Sequence, residues 1–386
     1  MLNEGLNEGL REKILHRLKE MKQLHLSIKL DILSEKDQKQ FFDLLSIDLL
    51  ISQQERLKAP SMREDFDPIF QAENASESWI PLGIERLTQG KVACLILAGG
   101  QGSRLGLSVP KALVPVTPDG RKTLLELHLE KIQLASTFHQ TKIPCAMITS
   151  IHNHASIAQF LREKKFEEFI TLVVQNEAPL LDNQGNWILR EDGKLATGPD
   201  GNGYALHLLQ KNGILKKWQA SGIEEISIIP IDNPLADPVD PILIGYHVSH
   251  PADVTVKVIT RQDSEEKVGI MVRKNNRIEV REYSELPAEK SQHTCLAHIG
   301  LFALSLSFAE RISKEEFPWH IAYKRDPLTK QMIWKFERFI FDMLPYSHKT
   351  NLLLYPREDV YAPLKNGSGE KSLETVKAAL QRILSL

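Results

Sequence analysis

Cysteine is scarce: the 386 residues contain only three, Cys94, Cys145 and Cys295. They lie too far apart for a disulfide framework or a zinc site, and their scarcity fits a reducing compartment. No apolar run reaches the length of a signal or membrane-spanning helix, and charge begins at Glu4, so the sequence points to a cytoplasmic protein with no membrane partner. An excess of one charge sign is missing too. Forty-eight Lys and Arg against 50 Asp and Glu leave a formal net charge of −2, so no global field draws the chain to nucleic acid. Any anion must be met by a local cluster. The rest is ordinary for a globular protein, 42% hydrophobic and 25% charged. The length suits one large domain with appendages, or two to three domains.

The densest local signal is residues 91–111. Val92 to Leu97 is a short, almost uninterrupted apolar run that reads as a strand buried on both faces. It ends abruptly in Ala98, Gly99, Gly100, Gln101 and Gly102. Glycines this dense let the backbone turn sharply and approach a ligand with no Cβ in the way. The N–H groups of such a turn form an anion cradle, and Arg104 and Lys111 add two cations nearby. Strand, turn and clustered charge read as a phosphate site for a nucleotide; a glycine turn without function is the alternative. A P-loop is excluded, because no register of 99–111 places Lys and then Ser or Thr after the second glycine. The dinucleotide fingerprint misses by one residue, with Leu105 where its third glycine belongs. The strand-like run 144–150 also lacks the terminal acid that would hold a ribose.

Around this stretch the chain changes character. Residues 1 to about 85 read as helices. Ile14, Leu15, Leu18, Met21 and Leu24 recur at helical spacing between Arg11 and Leu26, and Ser34 with Asp37 resembles a capping box. From Lys91 to about Leu306 strands alternate with helices, the pattern of a doubly wound α/β domain. Strands are expected at 144–150, at 170–175 ending in Gln175, and at 226–231, which delivers Asp232 at its C-terminal end. Val254–Ile259 and Lys267–Arg273 read as strand pairs, followed by 277–285. A carboxylate at that sheet edge, close to a phosphate cradle, suits Mg²⁺; a helix N-cap is the plainer role for Asp232. His152 and His154 could share a metal, but without an acidic or Cys partner they read as part of a solvated loop. Gly198 to Gly203 precedes a helix through Leu206, Leu208 and Leu209, again turning N–H groups toward a ligand.

Residues 97–106, Leu-Ala-Gly-Gly-Gln-Gly-Ser-Arg-Leu-Gly, with Pro110 and Lys111 behind them, resemble the signature loop of sugar-nucleotide pyrophosphorylases. The form is that of the eukaryotic-type UDP-N-acetylhexosamine pyrophosphorylase family. Further resemblance lies in the Pro-Asp-Gly-Asn-Gly run at 199–203, in Glu282 to Glu285, in 335–342, and in Arg357-Glu-Asp with Pro363-Leu-Lys-Asn. It implies an α/β fold with a doubly wound mixed sheet, a Rossmann-type nucleotidyltransferase of GT-A-like form. A helical N-terminal lobe (1–88), a catalytic domain (89–343) and a small C-terminal lobe (344–386) would divide it. The resemblance implies nucleotide contacts from Leu97, Ala98, Gly99, Gly100, Gly102, Gly201 and Asn202. The Gln175 amide would read the uracil edge, for which its donor and acceptor are suited. Gly203, Tyr204, Glu282, His298, Gly300, Phe339 and Phe341 would face the sugar; Phe339 and Phe341 could equally be one face of a core strand. Arg104, Lys111 and Lys365 would neutralise phosphate charge, Lys365 as the C-terminal lobe closes, and Asp232 would hold Mg²⁺.

Departures from the family pattern bear on the substrate. Ala112 stands where glycine is usual, Asn176 to Pro179 replaces a small Gly-rich turn, and Tyr204 takes the place of a small residue. The family's Asn-Ala-Gly-Asn run under the sugar becomes His298, Ile299, Gly300 and Leu301, putting an apolar Leu301 where an amide is expected. The expected substrates are UTP and a sugar 1-phosphate, N-acetylglucosamine 1-phosphate first, glucose or another hexose 1-phosphate as the alternative. A non-catalytic UDP-sugar sensor is more remote.

Overall fold

The structure is a computed structural model describing residues 2–58, 65–100, 102, 105–106, 109–286, 294–326 and 330–384. Its contacts separate two units. The first comprises Met1–Met62, Asn176–Gly201 and Pro318–Phe339, the second Arg63–Gln175, Asn202–Phe317 and Ile340–Leu386. Set beside contiguous lobes at 1–88, 89–343 and 344–386, both units are discontinuous.

The first unit packs the helices Leu2–Glu20, Glu35–Leu44 and Ile47–Lys58 with two antiparallel hairpins. Ile14, Leu18, Leu26 and Phe41 from the helical part share one core with Trp187 and Phe336. Gln53 is buried there because both ends of its amide are used: Oε1 accepts from Trp187 Nε1 at 2.9 Å and Nε2 donates to Pro179 O at 3.0 Å. Ser34 caps its helix, accepting from the Asp37 N–H at 3.2 Å. The helix expected to run to Leu26 instead stops at Glu20. Lys22 there adopts a left-handed φ of 54°, and a 3₁₀ segment Leu24–Ile32 follows.

The second unit is built on an eleven-stranded mixed sheet. Its main path runs Glu73–Asn74, Thr350–Leu354, Val254–Thr260, Leu296–Ser305, Glu225–Pro230, Val92–Leu97, Cys145–Thr149, Ile170–Val174. On this path only Leu296–Ser305 is antiparallel to its neighbours. Val92–Leu97 is buried along its whole length, as its apolar run requires. Val92, Cys94 and Ile96 pack with Leu125 and Leu129 of the helix Leu124–Phe138 and with Ile244 of Pro241–Ser249. Ala93 and Leu95, on the other face, are equally buried. Thr123 and Glu126 close a capping box on the first of these helices. No described helix is long and apolar enough to cross a membrane.

Two expectations change. Residues 65–79 are not helical throughout: Asp67–Pro68 and Glu73–Asn74 are strands, recruited by pairing with Ile270–Lys274 and Thr350–Leu354, which no local pattern announces. Val254–Thr260 and Ile270–Lys274 do not pair with each other. The first lies between Leu296–Ser305 and Thr350–Leu354, while the second pairs along its length with Arg277–Arg281. The parallel strands 92–97, 145–149, 170–174 and 225–230 all end at one sheet edge, the edge where open α/β sheets bind ligands.

Candidate active site

At that edge the glycine turn is held by neutral amides. The Ala98 N–H donates to Ile148 O and its carbonyl accepts from Asn153 Nδ2, both at 2.8 Å. Asn153, whose Oδ1 accepts the Ser150 N–H at 2.8 Å, is almost wholly buried. Gln175 follows its strand through an N–H bond to Thr149 O, and its buried amide lies against the turn, Nε2 at 3.5 Å from Gly99 O. A Cβ on Gly99 would stand 2.0 Å from Gln175 Oε1, so only glycine leaves this amide in place. Gly102 has a φ of 67° and a Cβ there would meet Lys111 Cβ at 3.3 Å. Leu97 and Ala98 are buried and Gly100 is exposed. Arg104 lies outside the described residues.

Across from the turn the site is charged. The Ile231 N–H bonds Leu97 O, and the next residue, Asp232, faces Lys111, Nζ to Oδ2 3.4 Å. The chain from 357 onward is tied to the same point. Leu364 N–H donates to Asp232 O at 2.8 Å. Asn233 Nδ2 donates to Val360 O at 2.7 Å, and its Oδ1 accepts from the Ala362 N–H at 3.1 Å. Lys365 thereby comes to the same edge as Lys111 and Asp232. Among the described residues no group of three or more His, Cys, Asp or Glu could hold a metal. A single carboxylate is a poor zinc set but fits a hard cation that completes its shell with phosphate oxygens and water. His152 is exposed in a turn and His154 opens the helix His154–Glu163, its Nδ1 2.9 Å from Thr149 Oγ1.

His298 is half-buried. Burial, reinforced by the charge of Lys365, pushes its imidazole down to about 3, so it is neutral. Gly300 N–H points at its Nδ1 (3.4 Å), and the rings of Phe302 and Phe341 lie 5.1 and 5.5 Å away. Between His298 and Leu301 the strand register shifts, with Gly300 at a φ of 80°. The bulge decides the fate of Leu301. It turns into the hydrophobic core, 1% exposed, rather than standing in for an amide.

The remaining residues expected to contact nucleotide (Gly201, Asn202) or sugar fall some in one unit and some in the other. In the second, Asn202 Oδ1 accepts the Ile340 N–H at 2.9 Å, Gly203 is buried, and the Tyr204 ring lies edge-on to His207. Glu282 precedes the turn Tyr283–Glu285, and a Cβ on Gly269 would approach its Oε1 to 3.2 Å. In the first, Gly201 has a φ of 89° and lies so close to the Arg338 backbone that a Cβ would stand 2.1 Å from its carbonyl oxygen. Phe339, beside His320, belongs to this unit and Phe341 to the other. Neither is in a strand: Met332–Glu337 ends before them and Ile340–Tyr346 is 3₁₀. Asp200, adjacent to the motif glycine, is buried and its carboxyl is pushed up to about 7 by that burial. Sequence reading passed over Asn153 and Asn233. The one available signal was an asparagine just past a strand end, too common to single out.

A model of the family described as UTP–glucose-1-phosphate uridylyltransferase matches residues 49–303. The human UDP-N-acetylhexosamine pyrophosphorylase-like protein 1 is 31% identical over 335 residues, covering 78% of this chain and 66% of its own. UDP-N-acetylglucosamine diphosphorylase 2 of Arabidopsis thaliana is 28% identical over 341 residues, 80% of this chain and 68% of its own. Among solved structures, the uridine diphosphate N-acetylglucosamine pyrophosphorylase of Trypanosoma brucei superposes with a TM-score of 0.78 at 25% identity, covering 96% of this chain and 84% of that one. Signature loop, sheet order and these matches agree: the chain belongs to the UTP–glucose-1-phosphate uridylyltransferase family.

Proposed function

We propose that the protein is a uridylyltransferase that makes a UDP-sugar and pyrophosphate from UTP and N-acetylglucosamine 1-phosphate, acting in the cytoplasm. The observation that carries this reading is the meeting of Lys111, Asp232 and the Lys365 segment at the sheet edge beside the glycine turn. The names of the relatives support it. The sugar phosphate oxygen attacks the α-phosphorus of UTP in line, the bond to the β-phosphate oxygen breaks, and pyrophosphate leaves. The nucleophile is already an anion, so no general base is needed. The barrier is repulsion among phosphate charges, and catalysis is positioning and neutralisation. Lys111 neutralises the α-phosphate, Lys365 the sugar phosphate, and Arg104 with the turn's N–H groups the leaving pyrophosphate. Gln175 reads uracil. Asp232 would hold Mg²⁺, which when bound supplies further charge neutralisation between phosphates.

Glucose 1-phosphate is the second reading, favoured by His298 in place of an asparagine. Sites built around hydrogen bonds discriminate strongly, so the two sugars separate cleanly in one assay. Pyrophosphate release from UTP and Mg²⁺ is measured with each sugar phosphate side by side. A higher kcat/KM for the acetamido sugar supports the first reading and the reverse supports the second. No release with either, despite UDP-sugar binding, would leave a sensor.

A further inference from the structure

We infer that Lys131 is a positioning residue for the transfer step, setting where Asp232 stands by holding the loop that follows it. Residues 231–240 join the strand Glu225–Pro230 to the helix Pro241–Ser249 as a run of turns outside any helix or strand. Pro234, Pro238 and Pro241 contribute no N–H, so this stretch is rich in carbonyls and poor in donors of its own. Donors come from another element. Lys131, on the helix Leu124–Phe138, sends its Nζ to Pro234 O at 2.9 Å and to Ala236 O at 2.8 Å. The Ala236 N–H closes on Asn233 O at 3.0 Å, so one ammonium grips the turn directly behind Asp232.

Apolar packing secures this loop only in part. Ala236 and Val239 turn into the core, yet Pro234 and Leu235 border a cavity of about 1050 Å³ that Leu127 and Leu134, from the same helix as Lys131, also line. Beside that space the loop meets the helix through the Lys131 hydrogen bonds. The Asn233 side chain ties the same turn to residues 360 and 362, so the two side chains clamp it from two parts of the chain. Burial pulls the Lys131 ammonium below its ordinary range, Asp237 opposing and Lys257 adding to the effect. Hydrogen bonds from a charged donor in such surroundings are stronger than in water. Asp232 lies in the same field. His128, one turn earlier on the helix and wholly buried, is kept neutral by burial and next by the charge of Lys131, with Asp232 pulling the other way. A displacement of ~1 Å at a catalytic group can cost up to about a hundredfold in rate, so a clamp on this turn bears on the chemistry without touching substrate.

That Lys131 serves catalysis rests on the uridylyltransferase reading; that it sets the loop does not. Steady-state kinetics of Lys131→Met should show kcat for pyrophosphate release lowered about tenfold with the KM for UTP nearly unchanged, and Lys131→Arg should recover most of the loss. Because Lys131 acts through Asp232, the same change made in Asp232→Asn should cost almost nothing more. An unchanged kcat in Lys131→Met, or a full further loss on top of Asp232→Asn, overturns the inference while leaving the reaction in place. The second measurement needs no turnover. Hydrogen–deuterium exchange of the full chain, read by peptide mass spectrometry, should quicken in Lys131→Met within 231–240 and 360–364, while Val92–Leu97 keeps its protection. Exchange unchanged in those two segments overturns the inference, and so does protection lost throughout the chain, which would make Lys131 a prop of the whole fold. Selective loosening sustains it even if no sugar phosphate is turned over.

Discussion

The two sides of the site are held by opposite means. The glycine turn is fixed by neutral groups in close contact: Asn153 on the Ala98 carbonyl, and Gln175 pressed where any Cβ on Gly99 would be. The far side is fixed by charge and by hydrogen bonds that span the sequence, Lys111 on Asp232 and Asn233 on residues 360 and 362. Contact and amides select a shape, and are suited to a nucleobase. Charges oppose charge, and are suited to phosphates. Recognition and chemistry are therefore separable by mutation.

The largest effect belongs to the charged side. Lys111→Met should lower kcat by on the order of a hundredfold, about 3 kcal/mol, with a UTP KM close to normal; a turnover near the parent's in a pyrophosphate-release assay would remove Lys111 from the chemistry. Asn233→Ala should follow. It leaves the Val360 carbonyl and the Ala362 N–H unpaired at a residue 1% exposed, and urea unfolding should show a loss of about 2–4 kcal/mol. Gly99→Ala tests the neutral side. The added Cβ displaces a flexible amide, not backbone, so the melting temperature should hold while the KM for UTP rises about tenfold. Combined with Gln175→Ala it should add almost nothing further, since both changes remove one interaction. Additive losses would mean that the two residues act apart.

The smallest effect is in pH. His298 and His128 on the charged side are both held down near 3, burial being the main cause in each. Neither changes charge near neutrality, so kcat/KM should show no limb near pH 6.5 that vanishes in His298→Gln. Stability should show them instead. Unfolded imidazoles titrate near 6.5, so between about pH 3 and 6.5 the unfolded chain binds the extra protons and stability rises with pH, by up to ~1.4 kcal/mol per unit for each histidine. Urea titrations at about pH 4 and pH 6 would reveal that slope.

What could be read from the sequence was local. Val92–Leu97 declares itself by composition, the glycine turn by spacing, and Asp232 by its place after an apolar strand. What could not be read was assembled from afar. The hairpins bearing Trp187 and Phe336 sit inside the stretch that reads as one catalytic domain, yet they complete the core of the N-terminal helices. Leu301 looked like a lost amide, and only the bulge at Gly300 shows that it faces the core.

The stitch made by Asn233 has a consequence for biosynthesis. Asp232 emerges from the ribosome long before the residues that brace it, and the strand Thr350–Leu354, which pairs with Val254–Thr260, is also late. A nascent chain can close most of its sheet and its glycine turn, yet Asp232 stays without the Leu364 contact and without Lys365 until residues 357–365 have been made. Ribosome-bound intermediates that end before those residues would then present the glycine turn without its charged counterpart, and the two sides of the site would meet only late in synthesis.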